Sequence, residues 1–107
     1  MAKSHIHFVG IGGISMSALA SIMHARGHKI SGSDLVASDQ TKALESLGIK
    51  VHIGHRKSNS QNADKVVITS AIRPDNPELS NNIPIITRED LALFPKGENL
   101  ASKLKIR

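Results

Sequence analysis

This sequence of 107 residues contains no cysteine, tryptophan or tyrosine and only two phenylalanines. Without cysteine, neither a disulfide framework nor a thiolate metal site can form, and a reducing compartment is the simplest assignment. The longest apolar runs are far shorter than the roughly 20 residues that cross a membrane, and the N-terminus has no signal-like apolar block. We therefore expect a cytoplasmic protein with no membrane partner.

The formal net charge of +5 at pH 7 raises the question of nucleic-acid binding. The basic residues are scattered, however, and concentrate only in the tail that holds Lys96, Lys103, Lys105 and Arg107. Proteins that bind single strands stack bases on aromatic side chains, which this chain lacks. We expect no nucleic-acid partner, one domain over residues 1–95, and a basic tail or interdomain linker over residues 96–107.

Short apolar runs alternate with helical patterns along the chain, as in a parallel sheet covered by helices. This order predicts an α/β fold of Rossmann-like type, with an open parallel five-stranded sheet in the order 3-2-1-4-5 and helices on both faces. The strands are predicted at His5–Val9, Lys29–Ser33, Val51–Ile53, Lys65–Thr69 and Ile83–Thr87, and helices at Ile14–Arg26, Asp39–Leu47 and Arg88–Phe94.

Apolar spacing also predicts which helix faces are buried. In the first helix the expected inward stripe consists of Ile14, Leu19, Ile22 and Met23, and in the second helix Leu44 and Leu47 are expected to face the core. A further short helix is predicted to begin at Asn76-Pro77-Glu78, where the Asn side chain caps, proline fits the first turn and the acid complements the helix dipole.

The first predicted strand ends directly in Gly10-Ile11-Gly12-Gly13, which leads into a helix. The first amides of a helix have no intrahelical partner and carry partial positive charge, so an anion can bind there. An acid at a strand end about 20 residues later, Asp34, completes the pattern of a dinucleotide-binding turn, although Ser15 stands where the third glycine is usual. The alternative is a turn that needs glycine only for its backbone angles.

Four motifs in order resemble the N-terminal domain of the muramyl ligases, and among them that of the ligases that add L-alanine to UDP-N-acetylmuramate. They are the turn from Gly10 to Ser17, Ser31-Gly32-Ser33-Asp34, Ile53-Gly54-His55, and the stretch from Thr69 to Glu78. In this family the N-terminal domain holds the UDP part of UDP-N-acetylmuramate, a central domain binds ATP and magnesium, and a third domain receives the amino acid. The resemblance implies a function in cytoplasmic peptidoglycan synthesis.

The resemblance also implies a set of UDP contacts. Gly10, Gly12, Gly13 and the amides of Ile14, Ser15 and Met16 would hold the diphosphate, and Ser17 would add a hydroxyl. The other implied contacts are Ser33, Asp34, His55, Ser70, Ala71 and Ile72, with Asp34 accepting a ribose hydroxyl. For three of them a structural alternative remains open: Asp34 as a helix cap or Asx turn, Ser70 in an ordinary turn, and His55 as a solvated loop residue.

The chain contains no Gly-rich loop ending in Gly-Lys-Thr or Gly-Lys-Ser, which ATP chemistry in these ligases requires. It also shows no nucleophile elbow and no histidine spacing typical of a metal site, so we assign it no catalytic residue, metal or cofactor of its own. The expectation is a UDP-binding module, either part of a longer ligase that supplies the missing domains or a naturally short paralogue. The alternative function is the NAD-binding domain of a dehydrogenase or redox-sensing regulator.

Overall fold

The computed structural model describes residues 4–92, so the expectations for the basic tail and for the end of the last helix lie outside the described residues. The strands are β1 (His5–Val9), β2 (Lys29–Asp34), β3 (Lys50–Ile53), β4 (Lys65–Ile68) and β5 (Ile85–Thr87). The helices are α1 (Ile14–Ala25), α2 (Asp39–Ser46) and α3 (Arg88–Ala92), and single 3₁₀ turns cover Lys57–Asn59 and Pro77–Leu79.

The five strands form one sheet in the order β3-β2-β1-β4-β5, and every neighbouring pair is parallel. This confirms the predicted α/β class and strand order. The chain passes from β1 to β2 on one side and later returns to β4 on the other side of β1. Ligands of open α/β sheets bind outside the carboxyl ends of the strands at such a reversal.

The buried face of α1 differs from the predicted stripe. Met16, Leu19, Ala20 and Met23 are the buried residues of α1, and they follow the i, i+3, i+4, i+7 spacing of one helix face. Ile14, at 78% exposure, and Ile22, at 48%, lie off that face, so their assignment to the core was wrong. Leu44 is buried as predicted, whereas Leu47 lies beyond the last turn of α2 and is 49% exposed.

Strand β5 begins two residues later than predicted, at Ile85. Pro84 accepts a hydrogen bond from the Val66 amide through its carbonyl, but it has no N–H to donate to the sheet. Within residues 4–92 no helix combines the length and apolar character that a membrane crossing requires.

Candidate functional site

A cavity of about 630 Å³ lies at the carboxyl ends of the strands, beside the turn between β1 and α1. It is bordered by residues from the loops that follow β1, β2, β4 and β5. The residues that line it are Gly10, Gly12, Gly13, Ile14, Ser15, Met16, Asp34, Val36, Ser38, Thr69, Ala71, Ile72 and Arg88. The cavity therefore occupies the place where the topology predicts a ligand.

The amides of the turn are not all free to bind a ligand. The N–H groups of Gly10 and Ile11 both donate to the carbonyl of Ser33, at 2.8 and 2.9 Å, and the Gly13 N–H donates to the Gly10 carbonyl at 3.2 Å. The Gly12 N–H donates to Asp34 Oδ2 at 2.7 Å. The glycine amides thus hold the turn against β2 and close it on itself. Fewer amides are therefore available to bind a diphosphate than the sequence predicts.

The next three amides, those of Ile14, Ser15 and Met16, have no hydrogen-bond partner among residues 4–92. They are the first amides of α1, and the ladder of the helix begins with the Ser17 N–H, which donates to the Gly13 carbonyl at 2.7 Å. Their residues all line the cavity. Three unpaired donors at the positive end of a twelve-residue helix are able to bind an anion.

Gly12 and Gly13 have different physical reasons to be glycine. A Cβ on Gly12 would lie 2.7 Å from Asp34 Oδ2 and 3.0 Å from Thr41 Cγ2, so the protein's own packing excludes it. A Cβ on Gly13 would meet nothing closer than 3.6 Å, which is ordinary contact. Gly13 caps α1 without a side-chain hydrogen bond, and its missing side chain leaves space in the cavity rather than in the core.

Asp34 stands at the end of β2 with both carboxylate oxygens bound to the backbone. Oδ2 accepts from Gly12 and Oδ1 accepts from the Leu35 N–H at 2.8 Å. The N-cap of α2 is Ser38, whose hydroxyl accepts from the Thr41 N–H in a reciprocal capping box, so the capping alternative for Asp34 was wrong. Because each carboxylate oxygen has further lone pairs, Asp34 can still accept a hydroxyl in the cavity.

Arg88 is a cavity residue that the sequence analysis did not identify as functional. It begins α3 directly after β5, lines the cavity, and has a side chain that is one-third exposed and paired with Glu89. Val36, Ser38 and Thr69 were missed as well. Their position directly after a parallel strand was the available signal, because the strand order brings all these loops to one edge of the sheet.

A second cavity of about 490 Å³ adjoins the first and shares Ala71 and Ile72 with it. Its remaining lining residues are Leu35, His55, Arg73, Asp75, Asn76 and Pro77. Leu35 is 69% exposed, so a large apolar surface lies open beside the ring of His55. Because apolar and polar side chains both line this cavity, it can hold a flat, partly apolar part of a ligand whose other part occupies the first cavity.

Glu78 is fully buried, and its carboxylate accepts hydrogen bonds from five donors. Oε1 accepts from His7 Nε2 at 2.6 Å and Ser33 Oγ at 2.7 Å. Oε2 accepts from His55 Nδ1 at 2.8 Å, Asn59 Nδ2 at 3.0 Å and the Arg56 N–H at 3.3 Å. The sequence analysis assigned Glu78 to the dipole of a short helix. Glu78 does lie in the first turn of that helix, and its carboxylate also joins β1, β2 and the loop after β3.

Burial alone raises the pKa of the Glu78 carboxyl, but the hydrogen bonds from His7, Ser33, His55 and Asn59 outweigh it and lower the pKa from 4.5 to about 2. Glu78 is therefore ionised at neutral pH. The same segment is fixed by its backbone, because Ser60 Oγ donates to the Glu78 carbonyl at 2.7 Å. Asn76 caps the 3₁₀ turn through its side-chain oxygen, as predicted.

A hydrogen-bonded chain continues from Glu78 through the sheet. His7 is fully buried and its Nδ1 contacts Ser31 Oγ at 2.8 Å, which in turn contacts His5 Nε2 at 2.8 Å. His5 Nδ1 donates to the Asn62 carbonyl at 3.0 Å. Burial lowers the pKa of His5 more than this carbonyl raises it, so His5 is neutral at neutral pH. These histidines hold the fold around Glu78.

The residues predicted from the sequence divide into three sets. Nine of the thirteen line the first cavity: Gly10, Gly12, Gly13, Ile14, Ser15, Met16, Asp34, Ala71 and Ile72. His55 lines the second cavity. Ser17, Ser33 and Ser70 line neither. The Ser17 hydroxyl donates to the Ile14 carbonyl, and Ser33 is fully buried with its hydroxyl on Glu78. Within residues 4–92 no group of three His, Asp or Glu side chains is placed to hold a metal ion.

The family model described as "Mur ligase family, catalytic domain" matches residues 5–92 of this chain. Two curated relatives, the UDP-N-acetylmuramate--L-alanine ligases of Rickettsia massiliae and Rickettsia canadensis, are each 53% identical to it over 90 residues. That alignment covers 80% of this chain and 19% of each relative. The chain thus spans about one-fifth of the length of the curated relatives it matches.

Solved structures show the same similarity. The UDP-N-acetylmuramate-alanine ligase of Thermotoga maritima superposes with a TM-score of 0.78 at 38% identity, over 81% of this chain and 21% of that one. The UDP-N-acetylmuramate:L-alanyl-gamma-D-glutamyl-meso-diaminopimelate ligase of Neisseria meningitides gives a TM-score of 0.73 at 32% identity, over 81% of this chain and 29% of that one.

Proposed function

This chain belongs to the Mur ligase family, and on that premise we propose that it binds the UDP part of UDP-N-acetylmuramate. The relatives it matches are named as ligases of this nucleotide sugar with L-alanine. We propose the same reaction for the whole protein, with L-alanine as the second substrate and peptidoglycan synthesis in the cytoplasm as the process.

The observation that carries this proposal is the set of unpaired amides at Ile14, Ser15 and Met16, which face a cavity that also holds Arg88. Two adjacent phosphates need several convergent donors and a compensating positive charge, and this edge of the sheet offers both. Gly13 adds the open space that a diphosphate needs. We place the diphosphate over these three amides.

The uridine then extends from the first cavity into the second. Asp34 lies in the first cavity and the adjacent Leu35 in the second, so a ribose beside Asp34 brings its base next to Leu35. The carboxylate accepts a ribose hydroxyl, and the apolar walls formed by Leu35, Ile72 and Pro77 contact the two faces of the pyrimidine. His55 is the polar side chain at that end, as the resemblance implied.

Three large apolar side chains lie exposed around the two cavities: Ile14 at 78%, Val36 at 67% and Leu35 at 69%. Exposed apolar surface at the mouth of a site marks a contact with a ligand or with another domain. We propose that the ligand covers Leu35 and that the ATP-binding part of the ligase covers the others. ATP and magnesium belong to that part, since this sequence contains no Gly-Lys-Thr or Gly-Lys-Ser loop.

Three titrations of the 107-residue chain test this proposal, each followed by calorimetry and by amide shifts. UDP-N-acetylmuramic acid and UDP are expected to bind at one site and to shift the amides of Ile14, Ser15 and Met16. NADH is the matched control for the alternative dinucleotide function. Binding of NADH in preference to UDP, or shifts confined to another surface, would refute the proposal.

A further inference from the structure

A third cavity, of about 410 Å³, lies at the amino ends of three neighbouring strands, away from the edge that holds the first cavity. His5, Lys29 and Lys50 are the first residues of β1, β2 and β3, and all three line it. The other lining residues are Ile30, Ser31, His52, Ser58, Asn59 and Asn62. None of these residues lines the first or the second cavity, so the third cavity is separate from the proposed UDP site.

The strand register places the basic side chains of this cavity on one face of the sheet. His5 lies directly opposite Lys29, and Lys50 lies opposite Ser31, two residues further along β2. His52, two residues after Lys50, shares that face because side chains alternate along a strand. Burial is the main cause of the lowered pKa values of His5 and His52, and the positive charges of Lys29 and Lys50, respectively, lower them further. Like charges on neighbouring strands repel, so this arrangement costs stability.

The described part of the chain supplies no compensating charge inside this cavity. None of the lining residues is acidic, and neither Lys29 nor Lys50 forms an ion pair within residues 4–92. Asp64 and Glu78 lie outside the lining. The Asp64 carboxylate accepts the His5 backbone N–H at 2.8 Å, and that of Glu78 already accepts five hydrogen bonds. The two lysines therefore present their charge to whatever enters the cavity.

The cavity also contains neutral donors that the protein does not use. The ring of His52, the hydroxyl of Ser58 and the side-chain amide of Asn62 have no hydrogen-bond partner among the residues that the structure describes. His52 belongs to β3, and the other two belong to the segment between β3 and β4. Because Lys29 comes from β2 and Lys50 from β3, donors from two strands and a loop surround the same space.

This set of donors fits a phosphate group better than a carboxylate. A phosphate monoester carries about 1.5 to 2 negative charges at neutral pH and three acceptor oxygens, whereas a carboxylate has one charge and two oxygens. Lysine binds phosphate as a point charge and needs no fixed fork geometry. We propose that the third cavity binds a phosphate group, either of inorganic phosphate or of a small phosphate monoester. Lys29 and Lys50 supply the charge, and His52, Ser58 and Asn62 donate hydrogen bonds.

Titration of the 107-residue chain with inorganic phosphate, followed by NMR, tests this inference. At about pH 8 phosphate is mainly a dianion, and we expect saturable shifts of the His52 ring and of the Ser58 and Asn62 amides. Acetate at equal ionic strength is the control for charge and should bind at least about threefold more weakly. Glycerol 3-phosphate distinguishes the two sources: tighter binding than phosphate supports an ester, and equal binding supports the free ion.

Two variants test the lysines. Lys29→Gln and Lys50→Gln should each weaken phosphate binding about three- to tenfold, because each removes one charge from a partly solvated site. Both side chains are exposed, so the fold should persist, and circular dichroism checks this. Lys42→Gln is the matched control, since Lys42 is an exposed lysine on α2 that lines none of the three cavities, and it should bind phosphate as the wild type does.

The outcomes separate this inference from the proposed function. Affinity for phosphate that both lysine variants retain, or acetate binding as tight as phosphate binding, would refute the inference. So would shifts confined to the amides of Ile14, Ser15 and Met16, which would place the phosphate in the first cavity and leave the proposed function standing. A chain that binds phosphate in the third cavity but does not bind UDP would refute only the proposed function.

Discussion

Gly12 and Gly13, in the turn between β1 and α1, are glycine for two different reasons that the sequence does not distinguish. At Gly12 a Cβ would displace the carboxylate of Asp34, so the protein's own contacts favour glycine. At Gly13 the same space is open. A ligand can occupy the space that Gly13 leaves open at the start of α1. Substitution of Gly13 therefore tests ligand binding more directly than substitution of Gly12.

Gly13→Asp is expected to leave the fold intact and to reduce UDP affinity by more than tenfold. Aspartate is a favourable N-cap and its φ of −62° here suits any residue, so α1 should be stabilised slightly. Its negative charge, however, lies beside the diphosphate and repels it. Calorimetric titration with UDP and a thermal melt measure the two effects.

The matched control for this prediction is Gly13→Asn, which has the same shape and capping ability without the charge. The loss of affinity in Gly13→Asn reports the space that the side chain takes up, and the additional loss in Gly13→Asp reports the electrostatic repulsion. Equal affinities of the two variants would show that no anion binds at this helix end.

Arg88 provides the second prediction at this scale. Arg88→Ala should weaken UDP binding about 10- to 100-fold, because a charge-assisted hydrogen bond to phosphate is lost. Arg88→Lys should recover part of that loss, since it keeps the charge but not the fork geometry. The wild-type affinity should also fall with added salt more steeply than that of Arg88→Ala. If UDP affinity depends on salt equally in the wild type and in Arg88→Ala, Arg88 does not contact the phosphates.

At the scale of elements, the turn after β1 is held against β2 by contacts that need Gly32. A Cβ at Gly32 would lie 2.4 Å from Ile11 Cδ1, 2.7 Å from Ile11 Cβ and 2.8 Å from the Phe8 carbonyl oxygen. The buried Ile11 side chain therefore packs directly on the backbone of β2, and the same strand receives the Gly10 and Ile11 amides through Ser33. Strand, turn and helix start form one rigid unit.

Gly32→Ala is expected to destabilise the protein by about 2–4 kcal/mol, because the added methyl group overlaps both a packed side chain and a backbone oxygen. Urea unfolding followed by circular dichroism measures this loss. Gly13→Ala serves as a control in which a methyl group meets only ordinary contacts. A stability of Gly32→Ala within 0.5 kcal/mol or so of wild type would contradict the rigid packing described here.

At the scale of the whole molecule, the chain of polar groups from His5 to His55 connects four of the five strands or their loops through Glu78. The folded pKa of Glu78 is depressed to about 2, so its contribution is present above the unfolded value of 4.5 and is lost as the pH falls towards 2. The folded pKa values of His5 and His52 are also lowered, mainly by burial, so protonation below 6.5 favours the unfolded chain. All three pKa values are lowered in the folded state, so each of them lowers the free energy of unfolding as the pH falls.

We therefore expect the free energy of unfolding to decrease on acidification in two steps. A small decrease begins below about pH 6.5 as the histidines titrate. A larger one, on the order of 3 kcal/mol, follows between about pH 4.5 and 2 as Glu78 is protonated. Urea unfolding at a series of pH values tests this, with Asp75→Asn as the control because Asp75 is paired only on the surface. Equal stability at pH 7 and pH 3 would contradict the role assigned to Glu78.

Local patterns in the sequence were sufficient to predict the fold and the edge of the sheet at which the first cavity lies. The alternation of apolar runs with helical patterns predicted five parallel strands, and the predicted strand order is the observed one. The continuous apolar run of β4 marked it as a strand buried on both faces. The glycine turn and Asp34 indicated the edge of the sheet where the first cavity lies. In any chain of this topology the carboxyl ends of the strands meet at that edge. Helix faces were less certain: Ile14 fits an apolar stripe by type, but only packing shows that Met16 replaces it in the core.

The sequence by itself determined the sheet, the glycine turn between β1 and α1 and the family resemblance, because each depends on residues close together along the chain. Only the tertiary structure decided which amides of the turn are free, that Arg88 joins them, and that Glu78 holds His7 and His55 from below the site. The hydrogen bonds from Gly10 and Ile11 to Ser33, and from His7 and His55 to Glu78, join residues separated by 22 to 71 positions. Such a pairing leaves no local pattern in the sequence. It arises when the sheet brings the ends of its strands to one edge.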